Sequence, residues 1–261
     1  RSIRVSTKMI NDSIQKFYVS GRLPKNRSYS YRYHIQNPVL AAAGAFKQRL
    51  EAGGIEITGF SGIRELSSLE PNTKIYKLAE FERNLTEIIQ PMMKKSSNFL
   101  AEICFKIIGA NAGKLSDNAQ GSKETIQKTM ENLAVPFEGC KINDGSGLSR
   151  KNLLTSESLV FLLRAADILD FKEEYRSCMA IAGIDGTLEK RMEESPAAGN
   201  LRGKTGTLRN TSSLSGYVET IDGEQLVFSL LFNGNSVWYY KNAEDKIGNI
   251  MAQFFYFNQV K

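Results

Sequence analysis

The sequence predicts an α+β protein, because strand patterns lie near both ends of the chain and helical patterns fill the middle. Residues 3–34 alternate in the manner of strands, and Asp222-Gly223 is a strong hairpin signal between the runs 214–220 and 226–232. Between these regions, apolar residues recur at helical spacing. We therefore expect an antiparallel sheet flanked by helices.

The first region predicts strands that end before residue 35, where the pattern changes at Asn37-Pro38. Asn is a favoured helix cap, and Pro suits the first helical position. A boundary between two domains is therefore expected near residue 35. The expected elements are strands at 14–19 and 29–34, a turn at 24–27, a helix from Pro38 to Leu50, and a short strand at 55–59.

The remaining chain predicts a helical block followed by a hairpin and a closing helix. The helix at Phe99–Ile108 is very apolar, so we expect it to be central and buried. The run Leu226–Phe232 is apolar on both faces, which predicts an inner strand. The other expected helices lie at Lys77–Met93 (with Leu78 on its apolar face), Thr125–Leu133, Ser156–Leu169 and Tyr240–Phe255, with a short helix ending at Met192.

Composition is ordinary for a globular domain and argues against several kinds of site. The chain has 261 residues, of which 41% are hydrophobic and 24% charged. One histidine and three widely spaced cysteines give no metal-ligand spacing, so we expect no metal and no cofactor. The formal net charge of +6 fits an anionic polymer or a membrane surface as well as nucleic acid. We expect no nucleic-acid partner and leave peripheral membrane contact open.

Two short motifs combine residues that suit acyl-transfer chemistry. Ser96-x-Asn98 presents a hydroxyl and an amide at the start of the apolar helix, although taken alone such a motif is more often a simple helix cap. Lys204-Thr205-Gly206 presents a cation and a hydroxyl beside bare backbone, which suits a carboxylate. Taken alone, the second motif is most often a hairpin edge with a solvated lysine.

Together the motifs resemble two of the three signatures of penicillin-recognising serine enzymes. Five segments in this order resemble the D-alanyl-D-alanine carboxypeptidase/endopeptidase family, the low-molecular-mass class C penicillin-binding proteins. The segments are Lys95–Glu102, Asp144–Arg150, Ala182–Leu188, Lys204–Leu208 and Leu214–Tyr217. The resemblance implies a penicillin-binding-protein or serine β-lactamase-like fold over residues 35–261, with residues 1–34 as the last strands of an inserted β-rich domain.

The third signature of the family, the Ser-x-x-Lys motif that carries the nucleophile, has only one match in the chain, Ser13-Ile-Gln-Lys16. This match lies in a strand-like stretch, whereas the nucleophile should begin a buried helix with the lysine one turn later. Ser13 is therefore a weak candidate. We expect the nucleophile to be absent from this chain, and the fold within it to be incomplete.

The resemblance implies a serine-type D-Ala-D-Ala carboxypeptidase that acts on peptidoglycan stem peptides through an acyl-enzyme. Ser96 would relay a proton to the leaving amine, and Asn98 would hold the peptide backbone. Lys204 and the Thr205 hydroxyl would pair with the terminal carboxylate, beside Gly206. The Thr207 N–H would form half of an oxyanion hole, and β-lactams would act as inhibitors.

Other interpretations of the same residues stay open at this point. The chain could belong to an endopeptidase for peptide cross-links, to a class C-like β-lactamase or esterase, or to a catalytically incomplete protein that only binds peptidoglycan. The serines of Asp144–Arg150 are tempting nucleophiles, but the glycines of that loop favour a structural turn. Asp185 resembles a turn or cap residue. The family implies a location in the periplasm or cell envelope.

Overall fold

The computed structural model describes residues 3–11, 14–30, 33–63, 74, 76–77, 79–114 and 116–255. They form two compact units, Arg1–Glu80 and Phe81–Lys261. The boundary expected near residue 35 falls inside the first unit, and the assignment of residues 1–34 to an inserted domain stays a prediction.

The first unit holds a β-hairpin and a helix. β1 (Arg4–Asn11) pairs antiparallel with β2 (Ile14–Ser20), in agreement with the strand pattern. α1 (Pro38–Ala52) begins as predicted, because the Asn37 side chain accepts a hydrogen bond from the Leu40 N–H at 3.2 Å. The expected turn after β2 is also present, closed by a backbone hydrogen bond across residues 24–27.

Two strands expected in this unit are not found. The described part of Tyr29–His34 belongs to no strand, and neither does Ile55–Gly59. The Gln15 side chain donates to the His34 carbonyl at 3.0 Å and accepts from the Gln36 N–H at 3.0 Å. The backbone at residues 34–36 is therefore joined to β2 through a side chain and not through strand pairing, which the alternation alone did not reveal.

The second unit contains six helices and a four-stranded antiparallel sheet among its described residues. A single 3₁₀ turn, Gly186–Leu188, replaces the short helix expected before Met192. The helices are α2 (Leu85–Lys94), α3 (Asn98–Asn111), α4 (Asn118–Asn132), α5 (Ser156–Ala166), α6 (Lys172–Ser177) and α7 (Val237–Ala252); the strands are β3 (Ala180–Ile181), β4 (Arg202–Leu208), β5 (Thr211–Glu219) and β6 (Gln225–Asn233).

The helices α2 and α3 differ from the expectation in extent and in burial. α2 begins eight residues later than predicted, at Leu85, after an extended Asn84; Leu78 lies outside the described residues. α3 is not fully buried, because only Phe105 and Gly109 are enclosed and Phe99 is 71% exposed. An apolar helix therefore presents much of its surface to solvent in this chain.

The sheet has the order β3-β4-β5-β6, and the predicted hairpin joins β5 to β6. Within the described sheet β6 lies at the edge, so the prediction of an inner strand is wrong. The strand is apolar on both faces because it contacts α5 and α7. Coverage by helices explains the pattern without a further strand.

Two apolar clusters show which elements cover each face of the sheet. One cluster joins Leu214 and Val218 of β5 to Ala252 of α7. The other joins Tyr217 of β5 to Leu163 of α5, and the Tyr217 hydroxyl donates to the Leu163 carbonyl at 2.7 Å. Because neighbouring side chains alternate along a strand, one face of the sheet looks toward α7 and the other toward the helical block.

Candidate active site

Ser96 lies in the tight turn between α2 and α3 and has a left-handed backbone, with φ of 52°. Such a conformation is costly for a residue with a Cβ, and it persists only where the surrounding structure enforces it. The α3 cap is its neighbour Ser97, whose hydroxyl accepts from the Leu100 N–H at 3.4 Å. Because Ser97 acts as the cap, the exposed hydroxyl of Ser96 is left for another role.

The side chain of Lys204 on β4 contacts Ser96. Lys204 pairs with Ser215 in the sheet register, and this places it on the face of the sheet that also carries Tyr217, toward the helical block. Its Nζ donates to Ser96 Oγ at 2.9 Å and to the Thr205 carbonyl at 2.7 Å. The two motifs, 108 residues apart in sequence, therefore meet through their polar groups.

Burial lowers the pKa of Lys204 from 10.5 to about 8. The cause is desolvation, which disfavours the charged form of an amine. With a pKa near 8 the side chain is still mainly protonated at pH 7. It remains a cation suited to a carboxylate, and its charge is sensitive to mildly alkaline pH.

The edge of β4 next to this contact is open. β3 pairs only with Arg202 and Gly203, and the Leu201 carbonyl accepts from the Ala182 N–H of the strand's extension at 2.9 Å. Backbone groups alternate in direction along an antiparallel strand. Those of Thr205 and Thr207 therefore point to the same side as the Leu201 carbonyl, which is the side of β3. No described strand covers that side beyond Gly203, which leaves the Thr207 N–H available to a bound chain.

The side chains along this edge differ in their surroundings. The Thr205 hydroxyl donates to the Thr187 hydroxyl at 2.8 Å, and Thr207 is exposed. A methyl group added at Gly206 would lie 2.4 Å from Ser213 Oγ, on the face that carries Lys204. Glycine at this position keeps that part of the site open.

Asn98 is the first residue of α3 and is exposed. Within the described ranges its amide has no hydrogen-bond partner, so both its donor and its acceptor face solvent. The amide lies two residues after Ser96, beside the meeting point of the motifs. It is available to a ligand rather than committed to a helix cap.

The loop Asp144–Arg150 has a structural organisation, in agreement with the expectation. Asp144 accepts hydrogen bonds from the Gly147 N–H at 2.6 Å and the Ser149 N–H at 2.8 Å. These bonds lower the pKa of Asp144 even though burial, the largest single influence, raises it. Ser146 Oγ donates to the same carboxylate and Ser149 Oγ accepts from Asn143, so both serines are bound within their own loop.

Ser13 lies outside the described residues, so its candidacy as a nucleophile stays a prediction. Two further contacts near the site were not expected from the sequence. Asp185 occupies the N-cap position of the 3₁₀ turn, as expected, but its side chain makes no capping bond and forms an ion pair with Lys94 at the end of α2. Thr187 holds the Thr205 hydroxyl. Residue type alone gave no signal for either contact, because each joins segments distant in sequence.

Comparison with known proteins identifies the family. The family model for D-Ala-D-Ala carboxypeptidase 3 (S13) matches residues 5–254. This chain belongs to that family. Relatives of the S13 chain include a D-alanyl-D-alanine carboxypeptidase from an Actinomadura species, 33% identical over 84% of this chain and 41% of the relative. Another is the D-alanyl-D-alanine carboxypeptidase DacB from Haemophilus influenzae, 26% identical over 85% of this chain and 46% of the relative.

The S13 chain therefore spans less than half the length of these two relatives. Its fold is similar to that of the crystal structure of penicillin-binding protein 4 from H. influenzae. The TM-score is 0.71 at 24% identity, over 95% of this chain and 57% of that chain. This similarity confirms the predicted penicillin-binding-protein-like fold, with helices flanking an antiparallel sheet.

Proposed function

We propose that the protein containing this chain is a serine-type D-Ala-D-Ala carboxypeptidase that cleaves peptidoglycan stem peptides. The observation that carries the proposal is the 2.9 Å contact between Lys204 Nζ and Ser96 Oγ, beside an open strand edge. A cation, a hydroxyl and free backbone N–H groups in one place suit a peptide that ends in a carboxylate. The family and the names of its relatives support the same activity.

In this proposal the edge of β4 holds the substrate. The protonated Lys204 and the Thr205 hydroxyl bind the terminal carboxylate of the peptide. The peptide lies along the edge of β4 beside Gly206, where the lack of a side chain leaves room for it. The Thr207 N–H stabilises the oxyanion that forms when the carbonyl between the two D-alanines is attacked.

Ser96 delivers the proton that the leaving group needs. The attacking serine oxygen forms a bond to the carbonyl carbon, the C–N bond breaks, and the departing D-alanine amine takes up a proton. Because Lys204 donates a hydrogen to Ser96 Oγ, the hydroxyl's own proton is directed away from Lys204. Asn98 orients the peptide backbone, and water then hydrolyses the ester to release the product.

We place the nucleophile outside residues 1–261. A serine hydroxyl attacks only when a neighbouring base removes its proton, and the single histidine, His34, is an exposed residue of the first unit. A lysine one helical turn after the serine would supply the base. The chain spans 41% and 46% of two relatives, so the intact protein is the one to test.

Labelling of the intact protein with fluorescent penicillin tests the proposal. We expect a long-lived acyl-enzyme, and peptide mapping should place the label on a serine outside residues 1–261. Release of D-alanine from a D-Ala-D-Ala peptide should be blocked by the same penicillin. Absence of both labelling and D-alanine release would overturn the proposed enzyme activity. Rapid turnover of penicillin would indicate a β-lactamase. A label on Ser13 would overturn the placement of the nucleophile outside residues 1–261.

We further propose that the protein acts outside the cytoplasm, where peptidoglycan is found. Among the residues that the structure describes, no helix has the length and apolar character needed to cross a membrane. Cleavage of cross-links by the same site is a second activity to measure on purified peptidoglycan dimers. Contact with a membrane surface can be measured by sedimentation with anionic vesicles.

A further inference from the structure

The loop Asp185–Thr187, here called the bridging loop, contacts both sides of the candidate site. It follows β3 and contains the first residues of the 3₁₀ turn. It lies within Ala182–Leu188, one of the segments that carry the family resemblance, but none of the roles proposed above uses it. Its contacts with the turn that carries Ser96 and with the strand that carries Lys204 are independent of each other.

The contact with the Ser96 turn is an ion pair reinforced by close backbone packing. The Asp185 carboxylate bonds Lys94 Nζ, two residues before Ser96, and its other oxygen accepts from the Ile181 N–H at 2.9 Å. The pair is partly shielded, since the Lys94 and Asp185 side chains are 18% and 32% exposed. A methyl group added at Gly186 would lie 2.7 Å from the Lys94 carbonyl oxygen. The loop therefore lies directly against the end of α2.

The contact with β4 is a hydrogen bond between two hydroxyl groups. The Thr205 hydroxyl donates to Thr187 Oγ1 at 2.8 Å, and both side chains are half-buried. A hydroxyl carries one proton and can accept as well as donate. When a carboxylate accepts the Thr205 proton, Thr187 can turn its own proton toward Thr205. The Thr205 hydroxyl then stays oriented through both states.

We propose that the bridging loop positions both halves of the site, a role that rests on the proposed carboxypeptidase function. Thr187 orients the Thr205 hydroxyl for the substrate carboxylate. Asp185 acts through Lys94 to hold the strained Ser96 turn within reach of Lys204. The proposal has two parts, here called the Thr187 arm and the Asp185 arm. The Thr187 arm affects recognition of the carboxylate, and the Asp185 arm affects proton delivery by Ser96.

The Thr187 arm is tested with benzylpenicillin and its methyl ester, which differ only in the carboxylate. In the intact protein, Thr187→Val should lower the second-order acylation rate constant for the acid about tenfold, because a Thr205 hydroxyl that is no longer oriented loses its hydrogen bond to the charged carboxylate. The rate constant for the ester should be unchanged, and Thr187→Ser should restore acylation by the acid. Thr129→Val, which removes an exposed hydroxyl bonded within α4, is the matched control.

Equal losses with acid and ester would show a purely structural role for Thr187 and would overturn this arm, as would unchanged acylation by the acid. The parent protein distinguishes the two levels of the proposal. If it is acylated by neither compound, the carboxypeptidase function itself fails and the positioning role fails with it.

The Asp185 arm is tested by a double-mutant cycle on release of D-alanine from a D-Ala-D-Ala peptide. Asp185→Asn and Lys94→Met should each lower kcat about tenfold, and the double variant should lose no more than either single variant. Lys114→Met, which breaks the exposed Lys114–Glu124 pair, should leave kcat within about twofold. Additive losses, or an unchanged kcat, would contradict action through Lys94. Thermal unfolding identifies variants that do not fold. If Asp185→Asn does not fold, Asp185→Glu takes its place in the double-mutant cycle.

Discussion

The two sides of the candidate site are held in place by different kinds of interaction. Lys204 is fixed by a strand whose register with β5 runs unbroken from Arg202 to Leu208. Ser96 lies in an exposed, left-handed turn, and the bridging loop contacts this turn through the Lys94–Asp185 ion pair. The position of Lys204 follows from backbone pairing, and that of Ser96 depends on a few side chains distant in sequence. The side that we propose to hold the substrate is therefore expected to tolerate side-chain changes around it better than the side that we propose to deliver the proton.

Loss of the Ser96 hydroxyl should have the largest effect. In the intact protein, Ser96→Ala should lower kcat for D-alanine release by about 10²–10⁴, the usual contribution of general acid–base catalysis. An ester substrate with D-lactate in place of the last D-alanine should lose less, because an alkoxide leaving group needs less help than an amine. Steady-state kinetics on the matched peptide and ester measure the difference.

The neighbouring serine is the control for this prediction. Ser97→Ala should weaken the α3 cap, by about 1 kcal/mol in the free energy of unfolding, and should not reproduce the difference between peptide and ester. Equal losses of Ser96→Ala on both substrates would show that Ser96 does not deliver the proton to the leaving group.

Loss of the Lys204 charge should have the second largest effect. Lys204→Met keeps a chain of similar length but removes the donor to Ser96 and the partner for the carboxylate. Acylation of the intact protein by benzylpenicillin should slow by about 10–10². Lys128→Met, an exposed change on α4, should leave acylation at the parent rate. Unimpaired acylation in the Lys204 variant would place carboxylate binding elsewhere.

The same contrast explains which parts of the site were accessible from the sequence. Lys204 could be placed because its motif, its strand and the following hairpin are local signals. For Ser96 the sequence left a helix cap open as an alternative, because it does not show which hydroxyl faces the helix; the structure gives that position to Ser97. The partners of the turn could not be found, since Asp185 lies 91 residues from Lys94.

In the fold as in the site, features set by neighbouring residues were predicted correctly and features set by distant residues were not. The hairpin at Asp222-Gly223 and the capped start of α1 were predicted correctly from neighbouring residues. The burial of α3 and β6 was not predicted correctly. An apolar pattern shows that a face can be covered, but it does not show what covers it. α3 was expected to be buried yet exposes Phe99, and β6 was expected inside the sheet yet lies at the edge of the described sheet.

A substitution at a glycine of β5 should destabilise the Lys204 side without removing a polar side chain. A methyl group added at Gly216 would lie 2.0 Å from the Arg202 carbonyl oxygen and 2.7 Å from Gly203 Cα. The two strands cannot separate without losing their register, so Gly216→Ala should lower the free energy of unfolding by about 1–3 kcal/mol. Chemical denaturation measures the change. Gly59→Ala, where the added methyl group meets no atom within 4 Å, is the control and should cost less than about 0.5 kcal/mol.

Alkaline pH should weaken the Lys204 side gradually, through the pKa of about 8 that burial gives this residue. For a carboxylate-terminated peptide, kcat/KM should fall as pH rises through 8, because the free enzyme loses the cation that binds the carboxylate. Lys204→Arg should move this decline to higher pH, since a guanidinium stays protonated. A decline in kcat/KM at pH 8 in both proteins would show that another group causes the decline.

Stability should change in the opposite direction over the same range. Between about pH 8 and 10.5 the unfolded chain still holds the Lys204 proton that the folded chain has released. Because stability rises with pH wherever the unfolded state binds more protons, Lys204 should make folding more favourable as substrate binding weakens. Denaturant titrations of the parent protein and the Lys204→Met variant across this range isolate that contribution. A difference in stability that did not grow with pH would show that the Lys204 amine is not desolvated in the folded protein.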